Sequence, residues 1–105
     1  MRVPELPLPD DVPELPAGCF YRVKREDLVS IGPRFTVEIR RQGKRFSHAV
    51  YGTETRIVLD KDSDPEVAVR QACRSAVAEM TIREQERAVW RGADRYVGDH
   101  GREAS

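Results

Sequence analysis

RFTVEIRRQGKRFSHAVY, residues 34–51, is the stretch on which the fold turns. Its first half, Arg34-Phe35-Thr36-Val37-Glu38-Ile39-Arg40-Arg41, alternates polar and apolar side chains with a period of two, which sends one set to each side of a pleated strand. Gln42-Gly43 then supplies a two-residue turn, and Lys44 to Tyr51 returns as the second strand of a β-hairpin. Closing that turn puts Arg41 opposite Lys44, and therefore Ile39 opposite Phe46, Val37 opposite His48 and Phe35 opposite Val50 on a face turned to the core. The other face then carries Arg40 beside Arg45, Glu38 beside Ser47, Thr36 beside Ala49 and Arg34 beside Tyr51, a cationic surface with one aromatic ring.

Upstream of the hairpin, Cys19 to Lys24 reads as a short first strand, and Arg25 to Pro33 as a loop with Leu28, Val29 and Ile31 tucked under the core. Downstream, Arg56 to Asp60 reads as a further strand after the Gly52-Thr53 turn. Ser63-Asp64-Pro65-Glu66 opens a helix, with either Ser63 or Asp64 as its cap. Val69, Ala72, Cys73, Ala76, Val77 and Met80 follow helical spacing and make one apolar stripe that packs the sheet. Beyond Met80 the stripe lapses, and Thr81-Ile82-Arg83-Glu84 repeats the capping pattern, which allows a bend or a restart near Thr81. Ile82, Val89, Ala93, Tyr96 and Val97 form a second apolar line, ended by Gly98. A helix from residue 65 to 97 would span ~50 Å, longer than a domain of this size can cover, so its distal half folds back, projects or binds something. The expected fold is α+β, an antiparallel meander of three or four strands packed by one long C-terminal helix.

A chain of 105 residues, 39% hydrophobic and 34% charged, suits a single domain. Five prolines among the first sixteen residues make 1–18 an extended proline-rich tail, 19–98 the folded unit and 99–105 a disordered polar end. In the tail, Val3-Pro4-Glu5-Leu6-Pro7 recurs as Val12-Pro13-Glu14-Leu15-Pro16, either a bivalent ligand for a partner or a leader that is solvated or docked on its own domain. No run reaches the ~18 apolar residues of a membrane span, and no signal sequence opens the chain, so a cytoplasmic protein without membrane contact is expected.

Cys19 and Cys73 have no spacing for zinc or thiol redox chemistry and read as buried or half-buried thiols. Nucleophile motifs and phosphate-binding glycine loops are absent from the sequence. His48 reads as a sheet histidine, and Asp60, Asp62 and Asp64 lack the glycine and distant glutamate of a calcium loop. No catalytic residue, metal or cofactor is expected.

Formal net charge is zero, which argues against a strongly basic nucleic-acid binder, yet residues 19–62 hold ten basic and six acidic side chains. Two basic clusters stand out. Arg34, Arg40, Arg41, Lys44 and Arg45, with Tyr51, surround a two-stranded ribbon of the kind that fits the DNA major groove; the plain alternative is a solvated face that keeps the sheet soluble. Arg83, Arg87, Arg91 and Arg95 repeat every four residues along the helix beside Trp90. That row is either a docking surface for a protein or a second copy of the chain, or a solvated face neutralised by Glu79, Glu84 and Asp94.

The segment from Phe35 to Thr53, with TVEIRRQGKRFSHAVYGT at its centre, resembles the sheet of AP2-like and integrase arm-type DNA-binding domains. The resemblance implies a three-stranded sheet that enters the major groove of double-stranded DNA, backed by one helix. It places Arg40, Arg41, Lys44 and Arg45 where that family makes its sheet-face contacts. The family passes almost directly from its last strand into the helix, whereas Thr55 to Asp60 here adds a strand and an acidic loop follows. The expected function is a small non-catalytic nucleic-acid-binding accessory or regulatory factor using the basic hairpin face; the alternative is an interaction module of the phage or mobile-element kind, or a small subunit of a larger assembly, using the VPELP repeats and the distal helix.

Overall fold

β1 (Cys19–Leu28) and β2 (Gly32–Gln42) form one long antiparallel hairpin in the computed structural model, which describes residues 8–101. Pairing runs from Cys19 with Arg41 to Leu28 with Gly32, and Gly32, at φ +82°, takes the left-handed conformation that lets three residues close the loop. The first strand is thus longer than its sequence suggested. Val29 and Ile31 stand exposed at the loop instead of lying under the core. Charged Arg25-Glu26-Asp27 can sit in a strand because this end of the hairpin faces water. Arg25 Nε donates to Asp27 at 2.9 Å, and its guanidinium lies 5.6 Å from the centre of the Phe35 ring.

β3 (Ser47–Ala49) and β4 (Thr55–Ile57) both pair with the other edge of β2, β3 at Arg40–Gln42 and β4 at Phe35–Val37. β2 is therefore the central strand, and β3 and β4 lie end to end along it as one interrupted neighbour. Fully buried Thr53 fills the interruption. Its hydroxyl donates to the Val50 carbonyl at 2.8 Å and accepts from the Ile39 amide at 3.4 Å, while the Val50 amide donates to the Ile39 carbonyl at 2.8 Å. The edge groups of β2 that no strand reaches are satisfied in this way.

The hairpin register differs from the sequence expectation. Arg40 faces Ala49, Arg41 faces His48 and Gln42 faces Ser47, so the connection is the four-residue loop Gly43 to Phe46, closed by the Gly43 amide donating to the Phe46 carbonyl at 2.9 Å. A two-residue hairpin turn needs positive φ at its central positions. Gln42 is a poor residue for that, and among the described residues only glycines other than Gly43 adopt it. Phe46 and His48, expected against Ile39 and Val37, are exposed as a result.

α1 (Pro65–Asp94) begins at Asp64, whose side chain accepts from the Glu66 amide at 3.0 Å, with Pro65 in the first turn. Ser63 is used within the preceding turn, where its hydroxyl accepts from the Asp60 amide at 2.8 Å. The helix is uninterrupted through Thr81, whose hydroxyl donates back to the Val77 carbonyl at 3.0 Å and so does not cap a new start. Ala72, Cys73, Ala76 and Met80 bury its near half against Val37, Ile39 and Ile57, and burial pushes the Cys73 thiol up from its ordinary range.

The described part of the N-terminal segment lies against this core. Val12 and Leu15 of the second VPELP copy pack on it, and the Pro13 carbonyl accepts from the Tyr21 hydroxyl at 2.6 Å. Burial, and secondarily Cys73, pushes the Tyr21 phenol up to about 12, so it stays a donor. The first copy, Val3 to Pro7, and the end of the chain from 102 onward lie outside the described residues.

Candidate nucleic-acid interface

The even-numbered residues of β2 point away from the helix. Across the β1 pairing they bring together Phe20 with Arg40, Arg22 with Glu38, Lys24 with Thr36 and Glu26 with Arg34, and β3 and β4 add Ala49 beside Arg40 and Arg56 beside Thr36. Among the described residues no helix or strand crosses this face, since α1 packs on the other one. Arg22, Lys24, Arg34, Arg40 and Arg56 are set there against Glu26 and Glu38, a surplus of three cations that falls to two when Glu54, 3.8 Å from Lys24, is included. Lys44 and Arg45 are exposed in the loop at the end of the same hairpin.

Glu38 organises the centre. It is only 4% exposed, with its carboxylate 2.8 Å from Arg40 Nη1 and 3.3 Å from Lys24 Nζ. Burial alone would raise its pKa, but hydrogen bonds from Arg40 and Lys24 and their charges outweigh that and hold the carboxyl below its ordinary value. Arg40 is committed further. Its Nε donates to Ser47 Oγ at 2.9 Å and its Nη2 to the Ser47 carbonyl at 2.7 Å, so the guanidinium ties β2 to β3. The most central arginine of the expected contact set is therefore part of the sheet's own bonding.

The remaining residues of that set spread out. Arg34 shares the outer face opposite Glu26, and its buried Nε has no hydrogen-bond partner among the described residues. Arg41 alternates to the other side of β2, exposed between Cys19 and His48. Tyr51 leaves the face altogether: β3 ends at Ala49, Tyr51 falls in the turn that follows, and its ring sits 5.6 Å from the Arg83 guanidinium on the helix. Arg22, Lys24 and Arg56 join the face through the registers of β1 and β4 on β2, which the meander pattern in the sequence leaves unspecified. With β1 running through Leu28, residues 20, 22 and 24 share the face of 34 to 40. Arg22 is stacked 5.9 Å from the Phe20 ring centre and remains exposed.

The second cluster converges more tightly. Arg83, Arg87, Trp90 and Arg91 line one groove of about 480 Å³ with Tyr51, Glu86 and Asp94. Arg95 falls at the helix C-cap, outside that lining. Arg83 is paired with Glu79 at 3.1 Å and Glu86 at 3.4 Å, and Trp90 is 72% exposed. Among the described residues no acidic, histidine or cysteine group suits a metal ion, and no helix is long and apolar enough to cross a membrane. The chain matches no family model, no curated protein and no solved structure.

Proposed function

We propose that the chain is a small non-catalytic DNA-binding protein of accessory or regulatory type, which holds duplex DNA on the open face of its sheet. The observation that carries this reading is the uncovered outer face, on which five cations stand against two in-register carboxylates. An antiparallel ribbon fits the major groove, and arginine suits both guanine edges and phosphates. Arg22, Arg34 and Arg56 are the contact residues on the face, and Lys44 and Arg45 grip the backbone at its end. Arg40 and Glu38 position the strands beneath them. A zero net charge is compatible with this, because the field at a surface depends on local charge and not on the chain's total. The resemblance of Phe35 to Thr53 to AP2-like sheets supports the same reading. The test is anisotropy of labelled duplex with the native chain and with Arg22→Glu/Arg56→Glu. Loss of binding in the double variant, with unchanged unfolding, supports the face; equal binding by both contradicts it.

A second reading, an interaction module working through the distal helix, is favoured by one observation: Tyr51 and Trp90, both more than 70% exposed, flank a groove that nothing in the chain fills among the described residues.

A further inference from the structure

The second VPELP copy reaches the core through a small set of contacts. Val12 and Leu15 pack against the buried cluster between β2 and α1. The Pro13 carbonyl accepts from the Tyr21 hydroxyl at 2.6 Å, and the Pro16 carbonyl from the Cys19 amide at 3.1 Å. Glu14, the charged residue of the motif, is exposed. These contacts are made by two aliphatic side chains and two backbone carbonyls, and Val3-Pro4-Glu5-Leu6-Pro7 offers the same groups in the same order. The prolines at the second and fifth positions fix φ in each copy, so both favour one extended shape before either is held.

We infer that the seat beside Tyr21 and the core is a binding site for the Val-Pro-Glu-Leu-Pro segment, and that the first copy, residues 3–7 of the same chain, is its alternative occupant. The leader then exchanges between the arrangement described above and one shifted by nine residues, with the first copy seated and residues 8–16 looped out. Two features make the second copy the main occupant. It is tied to Cys19 by Ala17 and Gly18 alone, whereas the first copy is tied by the eleven residues 8–18. Closing the longer loop lowers the population of the shifted state about tenfold. Asp11, just ahead of the second copy, lies 4.0 Å from Arg70, and the residue in the corresponding place before the first copy is Arg2, a like charge. With neither copy seated, the Tyr21 hydroxyl loses its acceptor and the flank of the core opens to water. Either copy can therefore be withdrawn while the other keeps the core closed. This site lies on the helix side of the sheet and does not depend on the nucleic-acid reading.

Thermal unfolding of four full-length chains, followed by circular dichroism, tests this: the native chain, Val3→Ser/Leu6→Ser, Val12→Ser/Leu15→Ser, and the chain with all four substitutions. Val3→Ser/Leu6→Ser leaves the midpoint unchanged, because the second copy still holds the seat. Val12→Ser/Leu15→Ser lowers it by roughly 5 °C, as the first copy takes over at its tenfold disadvantage. The four substitutions together lower it by roughly 5 °C more, or further. The first copy thus matters only when the second is disabled, a coupling that independent sites do not show. In Val12→Ser/Leu15→Ser the methyl groups of Val3 and Leu6 also give nuclear Overhauser contacts to the core. Leu15→Ala in place of the double substitution carries the same comparison in a chain whose fold is less disturbed. If Val3→Ser/Leu6→Ser lowers the midpoint equally in both backgrounds, or in neither, the inference is overturned.

Discussion

On the helix side of β2, Val37 and Ile39 are fully buried beneath Ala72, Cys73, Ala76 and Met80. On the other side, one residue along, Thr36 and Glu38 are 5% and 4% exposed, although among the described residues no element lies above them. The first side is dry because a second layer of structure covers it, which is how a two-layer domain makes its core. The second is closed only by long side chains laid across it, with Lys24 and Arg40 meeting on Glu38. Burial by a packed layer is permanent as long as the fold lasts. A roof of cationic side chains around a carboxylate can be lifted and rearranged, and the cations beyond those needed for Glu38 are left facing outward. That asymmetry leaves the outer face with cations that its own bonding does not use, which is the physical basis for proposing binding there.

The sharpest way to break the comparison is to injure each face in turn. Ile39→Ala removes a fully buried side chain from the layered face and should cost about 3 kcal/mol, with a cavity left against the helix. Urea unfolding followed by circular dichroism measures it, and the effect should be independent of salt.

On the outer face Glu38→Gln should cost nearly as much, about 3 kcal/mol, at the lower end for a buried pair because Lys24 is half exposed. This loss carries a pH signature. The Glu38 carboxyl is held below its ordinary value in the folded chain, so its contribution is complete above the ordinary carboxylate range and drains away as pH falls through the lowered folded value. Unfolding midpoints should therefore converge for the native chain and Glu38→Gln in acid. A constant gap across the whole range would mean that Glu38 acts by shape and not by charge.

Thr53→Val should cost about 1 kcal/mol. It removes the hydroxyl that bonds the Val50 carbonyl and receives the Ile39 amide, at nearly constant volume. Smallest of all in stability is Arg22→Glu/Arg56→Glu, within about 0.5 kcal/mol of the native chain because both residues are exposed. If the outer face instead lost several kcal/mol here, its cations would be structural throughout and the division between the faces would fail.

The class of fold was legible in the alternation of residues 34–41 and in the helical stripe from Val69 to Met80, because both patterns span the length over which periodicity discriminates. The topology around β2 was less so. Arg25-Glu26-Asp27 reads as loop by composition, and only the pairing of both hairpin arms in water makes it strand. The register failed for a local reason: Gln42-Gly43 looks like a tight turn, but the backbone uses four residues, which moves Phe46 and His48 to the surface and Ala49 beside Arg40. The candidate site differs at Tyr51, which falls in the turn after β3 and sits by the helix, and at Arg40, whose sequence neighbours give no hint that Ser47 and Glu38 claim it. The helix cluster fared better, because spacing along one helix fixes which side chains share a side without any register to be chosen. Of Arg83, Arg87, Trp90, Arg91 and Arg95, which the spacing groups, all but Arg95 line one groove.

The most direct test of the open face is a salt titration of duplex DNA binding by the native chain, followed by fluorescence anisotropy. The account predicts affinity that falls with rising salt, with a log–log slope of roughly 3 to 5 for the phosphates that Arg22, Arg34, Arg56, Lys44 and Arg45 can neutralise, and a shallower slope for Lys44→Glu/Arg45→Glu. No binding at low salt, or binding whose slope those two loop substitutions leave unchanged, would contradict it.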